Sequence, residues 1–137
     1  MLSGESISFD MNYRFPRGFS MIKNYITCEK IIDDNSHGGK GTIEIQKVFR
    51  REDFKGAWDF ALRVCMPPNS SMGLHKHGED EEMYIILNGE GLMTIEGEDQ
   101  RVSKGDMILN KPHGTHGLLN NSNQELELLI IQASLKQ

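Results

Sequence analysis

The sequence predicts an all-β fold, a sandwich or small barrel, on three observations. From Thr42 onward apolar residues recur with a period of two, turn-forming clusters interrupt the chain at short intervals, and no helical pattern longer than two turns appears in the 137 residues. Strands spaced this closely leave almost no room for connecting helices.

In chain order, residues 1–20 carry Pro16 and Gly18 without sustained periodicity and read as an N-terminal arm, while 21–137 read as a single domain. A short turn of helix is expected near 23–31. The stretch "DDNSHGGKG" at 33–41 is a loop of turn formers. It is not a phosphate loop, because the glycines before Lys40 have the wrong spacing and no Ser/Thr-capped helix follows. Two strands come next: Ile43 and Ile45 alternate with Thr42, Glu44 and Gln46, and Phe60, Leu62, Val64 and Met66 alternate with Asp59, Ala61, Arg63 and Cys65. Trp58 stands at the start of the second and is expected in the core or at an interface. Further strands are expected over 72–77, 82–87, 91–96, 100–102, 106–109, 116–120 and 126–132, joined by turns such as "PPNSS", "NGEG", "SKGD" and "NNSNQ". The segment "EMYIIL" is apolar on both faces after Glu82, so its outer face needs cover from the arm or from a second subunit. A homodimer is expected on that ground.

Fifteen basic against twenty acidic residues leave a formal charge of -5, and no basic block is dense enough to neutralise a run of phosphates, which disfavours nucleic acid as a partner. No stretch reaches the roughly 18 to 20 apolar residues of a membrane span, and the N-terminus lacks the basic start and apolar run of a signal peptide. A cytoplasmic protein with no membrane partner is the expectation. Cys28 and Cys65 form no CxxC pair and read as reduced core thiols.

Chemistry concentrates in "GLHKHGEDEEMYIILNGEG", residues 73–91. On a strand His75 and His77 point to one face and Lys76 to the other, so two imidazoles converge beside Asp80, Glu81 and Glu82. A His-x-His pair also arises by chance as a hydrogen-bonded surface pair, and alone it is a weak signal. The context strengthens it. "GED" makes a tight turn, Glu82 opens the next strand, and "NGEG" closes that strand with a hairpin needing positive φ at glycine. Further on, "GDMILNKPHGTHGLLN" supplies a Gly105-Asp106 turn, a short apolar strand, a loop, His116 and Asn120.

These residues resemble the two motifs of the cupin superfamily. His75, His77, Glu82 and Gly89 match the first, and Gly105, His116 and Asn120 the second, with the spacing kept. Asn69 stands in place of the leading glycine of the first motif; Lys111 and His113 stand in place of the proline and glycine of the second. The departures bear on loop shape and leave the ligand positions intact. The resemblance spans about Met21 to Ile131 and implies a double-stranded β-helix (jelly-roll) barrel holding one divalent transition metal (Mn, Fe, Zn or Ni) per subunit on His75, His77, Glu82 and His116. Three neutral imidazoles and one carboxylate also suit such metals chemically and leave coordination positions open. Glu82 is preferred to Asp80 and Glu81 by its distance to Gly89, and the other two are expected in solvent.

Tyr84, two residues beyond Glu82, faces the same cavity in strand geometry, as a donor to the site or as a core aromatic. Met93 or Ile95, Leu109 and Leu118 line the pocket or simply pack the core. Lys111 and His113 flank the mouth, where they bind an anion, shuttle protons or remain solvated loop residues. Tyr84 and His113 are the candidates for catalysis. His37 has no partner in the pattern. Two functions are consistent with this set. One is a metal-assisted isomerase, decarboxylase or dioxygenase acting on a small polar molecule, a sugar, sugar acid or carboxylic acid; the other is a non-catalytic, metal-dependent module binding a small ligand.

Overall fold

A computed structural model of the chain describes residues 20–135. The expected arm at 1–20 lies outside the described residues except for its last position. Ten strands follow one another: β1 (Lys30–Asp34), β2 (Thr42–Phe49), β3 (Trp58–Met66), β4 (Ser71–Lys76), β5 (Asp80–Asn88), β6 (Glu90–Ile95), β7 (Glu98–Ser103), β8 (Met107–Asn110), β9 (Thr115–Leu119) and β10 (Leu126–Ser134). Three 3-10 turns are the helical content of the described residues.

The helical turn expected near 23–31 shrinks to three residues, Tyr25–Thr27, capped by the Asn24 side-chain oxygen, which accepts from the Ile26 N–H at 2.9 Å. Lys30 is already strand, paired with Gln46. The pairing of β1 with β2 overrides local propensity here, and a five-residue edge strand with only Ile31 and Asp33 turned partly inward carries too little periodicity to be seen beforehand.

The strands form two antiparallel sheets. The larger has the order β1-β2-β3-β10-β5-β8 and the smaller the order β4-β9-β6-β7. The expectation of a closed jelly-roll barrel is therefore corrected. Both sheets are open, with β1 and β8 as free edges of one and β4 and β7 as free edges of the other. Closure needs paired ladders all round, and these edges resist pairing. Strand β7 reads "EDQRVS" with only Val102 buried, and β8 is just four residues long.

Between the sheets lies one continuous core that includes Ile43, Met66, Met93, Leu126 and Leu128, each with no exposed surface. On β10, Leu126, Leu128 and Ile130 face inward while Glu127, Leu129 and Ile131 are only half-buried, as the two-residue period demands. At one end Asn120 ties the packing together. Its amide nitrogen donates to the Met66 and Gln124 carbonyls at 2.8 and 2.7 Å, and its oxygen accepts from the Ser122 hydroxyl and N–H at 2.8 and 3.1 Å. Cys28 and Cys65 are buried free thiols. Burial pushes the Cys65 thiol up to about 11, so it stays protonated. On the outer face of the larger sheet Met107 and Leu109 are exposed beside half-buried Met83 and Ile85 of the neighbouring strand, and Trp58 is half-exposed at the start of β3.

Candidate metal centre

The site lies at the other end of the sandwich, where the facing sides of both sheets become polar. On β4 the side chains alternate: Leu74 and Lys76 point out to solvent, and His75, with His77 just past the strand end, turns inward. Antiparallel pairing places His75 opposite His116 of β9. From the larger sheet β5 contributes Glu82. Glu82 and His116 are buried, His75 and His77 partly so, and one ligand atom from each of the four lies within 4.8 Å of the others.

Two imidazoles are oriented by partners on their far side. His75 Nδ1 donates to the Gly73 carbonyl at 2.8 Å, and since a carbonyl only accepts, the hydrogen sits on Nδ1 and the Nε2 lone pair is free. His77 Nδ1 lies 2.6 Å from the Asp80 carboxylate, which fixes that ring the same way. Such outer hydrogen bonds set the tautomer a metal-binding histidine needs. His37 stacks on His75 with ring centroids 3.8 Å apart and planes 12° from parallel. The loop carrying it reaches β4 because a glycine stands on each side of the contact: a Cβ on Gly73 would sit 2.2 Å from the His37 carbonyl oxygen, and one on Gly39 would sit 2.1 Å from that of Ser71.

The centre of the cluster is where the donors face one another. Glu82 Oε1 stands 2.8 Å from His77 Nε2 and 3.4 Å from His116 Nε2, and the two imidazole nitrogens are 3.3 Å apart. The contact to His77 is short, yet it lacks hydrogen-bond angles, and Glu82 Oε1 is buried without a hydrogen bond among the described residues. A hydrogen bond needs both distance and angle, so this contact is not one. A buried carboxylate oxygen left unpaired is costly, and a cation among these donors removes that cost. The residues thus fit a divalent metal by the chemistry of the donor set and by the orphaned oxygen. Burial also lowers the pKa of His75, assisted by His37 and His116 and opposed by the Gly73 carbonyl and Glu82, which favours the neutral form that ligates.

The two residues expected to act in catalysis are placed differently. Tyr84 is buried, its hydroxyl 3.2 Å from His116 Nε2 and its ring edge-on to that imidazole. Burial, and then the Glu82 charge, raise its pKa well above the ordinary value, so it is a neutral donor. His113 is exposed at the rim, with Nε2 3.1 Å from a Glu79 carboxylate oxygen. It lines, with Lys111, Asn110, Thr115 and His116, a pocket of ≈ 290 Å³ that opens beside the cluster. Of the expected apolar lining, Met93 and Leu118 are core residues and Ile95 borders the pocket. Leu109 borders it too but is 49% exposed, because the inward positions of β8 are Ile108 and Asn110.

The motif departures keep their backbone shape. Asn69 and His113, standing where the resemblance has glycine, adopt φ of 68° and 62°, the left-handed conformation that glycine takes without strain. Three site residues escape the sequence reading. Asp80, expected in solvent, bonds the His77 ring, and its place three residues after His77 across a tight turn is a usable signal. His37 lies in a loop 38 positions before its stacking partner, and nothing local announces it. Asn110 is legible only from the register that sets it opposite Glu82.

Comparison with known proteins identifies the family and the fold. A family profile described as Cupin domain matches residues 62–132. The chain is 34% identical over 114 residues to the oxalate-binding protein of Thermotoga maritima, covering 83% of this chain and 93% of that one. It is also 34% identical over 111 residues to an uncharacterised protein of Methanocaldococcus jannaschii, covering 81% and 79% of the two chains. Among solved structures it is similar to a predicted oxalate decarboxylase from Thermotoga maritima, with a TM-score of 0.82 and 31% identity over 84% of this chain and 100% of that one.

Proposed function

The chain belongs to the cupin domain family, and on that premise we propose that His75, His77, Glu82 and His116 hold one divalent transition metal per subunit, at which a small organic acid binds and reacts. The observation that carries this reading is the orphaned Glu82 oxygen facing the Nε2 atoms of His77 and His116. The acid is supported by likeness to an oxalate-binding protein and to a predicted oxalate decarboxylase. When bound, the metal supplies Lewis-acid polarisation of a carboxylate oxygen. Tyr84 offers a neutral O–H to the same space, Met93 and Ile95 keep its walls dry, and Lys111 with His113 draws an anion to the rim. Of the reaction classes open to such a centre, decarboxylation has that likeness behind it.

A binding module without turnover is the second reading, favoured by one observation. Tyr84 stays protonated, and His113 is exposed at the rim beside Glu79, so neither supplies a general base within the cluster. Metal content of protein purified without an affinity tag, then calorimetry with oxalate before and after chelation, tests the shared part. A chelated protein that binds oxalate as well as the loaded one overturns it. Carbon dioxide release from oxalate separates enzyme from binder. A second copy of the chain over Met107 and Leu109 completes the reading, and sedimentation equilibrium tests it: a homodimer is expected, a monomer overturns it.

A further inference from the structure

Beyond the metal ligands, one buried polar side chain in the described residues has neither of its polar atoms satisfied. Asn110 is 3% exposed, and its Nδ2 and Oδ1 both lack a hydrogen-bond partner. Buried amides are hydrogen-bonded as a rule, and an orphaned buried atom is costly because it loses water without gaining a partner. The placement is as telling as the vacancy. Asn110 pairs across β5 and β8 with Glu82, and residues directly opposite in an antiparallel ladder turn to the same face. It therefore shares the inward face with the candidate metal ligand, and it lines the pocket beside His116.

An asparagine with both atoms free asks for two things at once: an acceptor for its N–H and a donor for its oxygen. A simple carboxylate supplies acceptors only. A carboxylate with a hydroxyl on the adjacent carbon supplies both, and the pocket, at ≈ 290 Å³, lies just below the usual range for drug-sized ligands, which suits a short acid. Exposed Lys111 at the rim adds the positive charge that an acid requires.

Resting on the reading of a metal centre that binds small acids, we propose that Asn110 is its specificity-determining residue and selects short 2-hydroxy acids over acids that lack the hydroxyl. No covalent step is involved. The amide donates Nδ2–H to an oxygen of the acid and accepts the hydroxyl hydrogen at Oδ1.

The test compares glycolate with acetate, and lactate with propionate, by calorimetry on manganese(II)-loaded protein of measured metal content, in the wild type and in Asn110→Leu. The wild type should bind each hydroxy acid about tenfold more tightly than its partner, the worth of one added hydrogen bond, and Asn110→Leu should bring each pair to within about twofold. The manganese content of the variant should be unchanged. Its metal-free melting temperature should match or exceed the wild type, because replacing an orphaned amide by an apolar side chain of like size removes a cost. Asn110→Asp, which keeps the shape but swaps the donor for a charge, should weaken every acid. Equal affinity for glycolate and acetate in the wild type, or a preference that survives in Asn110→Leu, overturns the proposal while leaving the metal and acid reading intact. A loaded wild type that binds none of the four acids overturns the proposal, and one that also fails to bind oxalate overturns the metal and acid reading with it. A much lower metal-free melting temperature in Asn110→Leu marks the amide as a structural residue and overturns the proposal alone.

Discussion

Two asparagines are buried between the same two sheets, at opposite ends, and they are used in opposite ways. Asn120 is completely enclosed and spends both its nitrogen and its oxygen on the chain around it, bonding to Met66, Ser122 and Gln124. Asn110 is nearly as enclosed, and its side chain bonds to none of the described residues. The polar atoms of the Asn120 side chain are all satisfied within the chain. Opposite Asn110 on the neighbouring strand, Glu82 Oε1 faces the Nε2 atoms of His77 and His116 without a hydrogen bond. Burial alone does not distinguish structure from function here; hydrogen-bond satisfaction does. One end meets its bonding needs within the chain, and the other leaves bonding capacity unmet among the described residues.

The largest expected effect is at the polar end. Replacing His75 and His116 together by alanine removes half of the donor set, and metal content by mass spectrometry should fall from one ion per chain to near none. Full stoichiometry in that variant dissolves the contrast between the two ends. At the Asn120 end, Asn120→Ala takes the side-chain donor from the buried Met66 carbonyl and the acceptor from Ser122, and should cost about 2 to 4 kcal/mol in urea denaturation. No loss at all, the outcome expected for Asn110→Leu, would show that satisfaction is not what separates them.

Asp80→Ala should sharpen the picture, since it frees the His77 ring while touching no proposed ligand atom. Metal affinity is expected to drop by about 10- to 100-fold in competition with a chelator. The pH dependence has a definite sign. Burial holds the folded-state pKa of His75 below its ordinary 6.5, so as pH falls the unfolded chain gains that proton before the folded one does. The resulting stability of the chelated protein is full above the ordinary histidine value and is lost as pH falls through and below it; urea midpoints on either side of that value check this. His75→Gln should flatten the difference. The smallest effect expected is at the rim: His113→Gly relieves a left-handed backbone and should raise stability by about 1 kcal/mol, while a loss of turnover in the same variant would move His113 from loop residue to participant.

How much of this could be read from the chain alone follows from how local each feature is. The strands from Thr42 to Ser134 are announced by two-residue alternation and turn chemistry, which are short-range signals. The four proposed ligands were legible because motif spacing encodes them. Closure of the sheets was not, because it depends on whether edges such as charged β7 and short β8 find partners, a property of distant strands. The His37–His75 stack depends on Gly39 and Gly73 meeting across 34 positions, and Asn110 on the register of β5 with β8. Neither leaves a trace in a window of neighbouring residues.

The donors are divided three to one between the layers: His75, His77 and His116 stand with the smaller sheet, and Glu82 stands on the larger. An ion shared by all four is a rivet through two plates that no backbone ladder joins at that rim. Amide exchange in β8 and β9 should slow when the rivet is seated and quicken when it is drawn, whereas amides near Asn120 should keep one rate in both conditions.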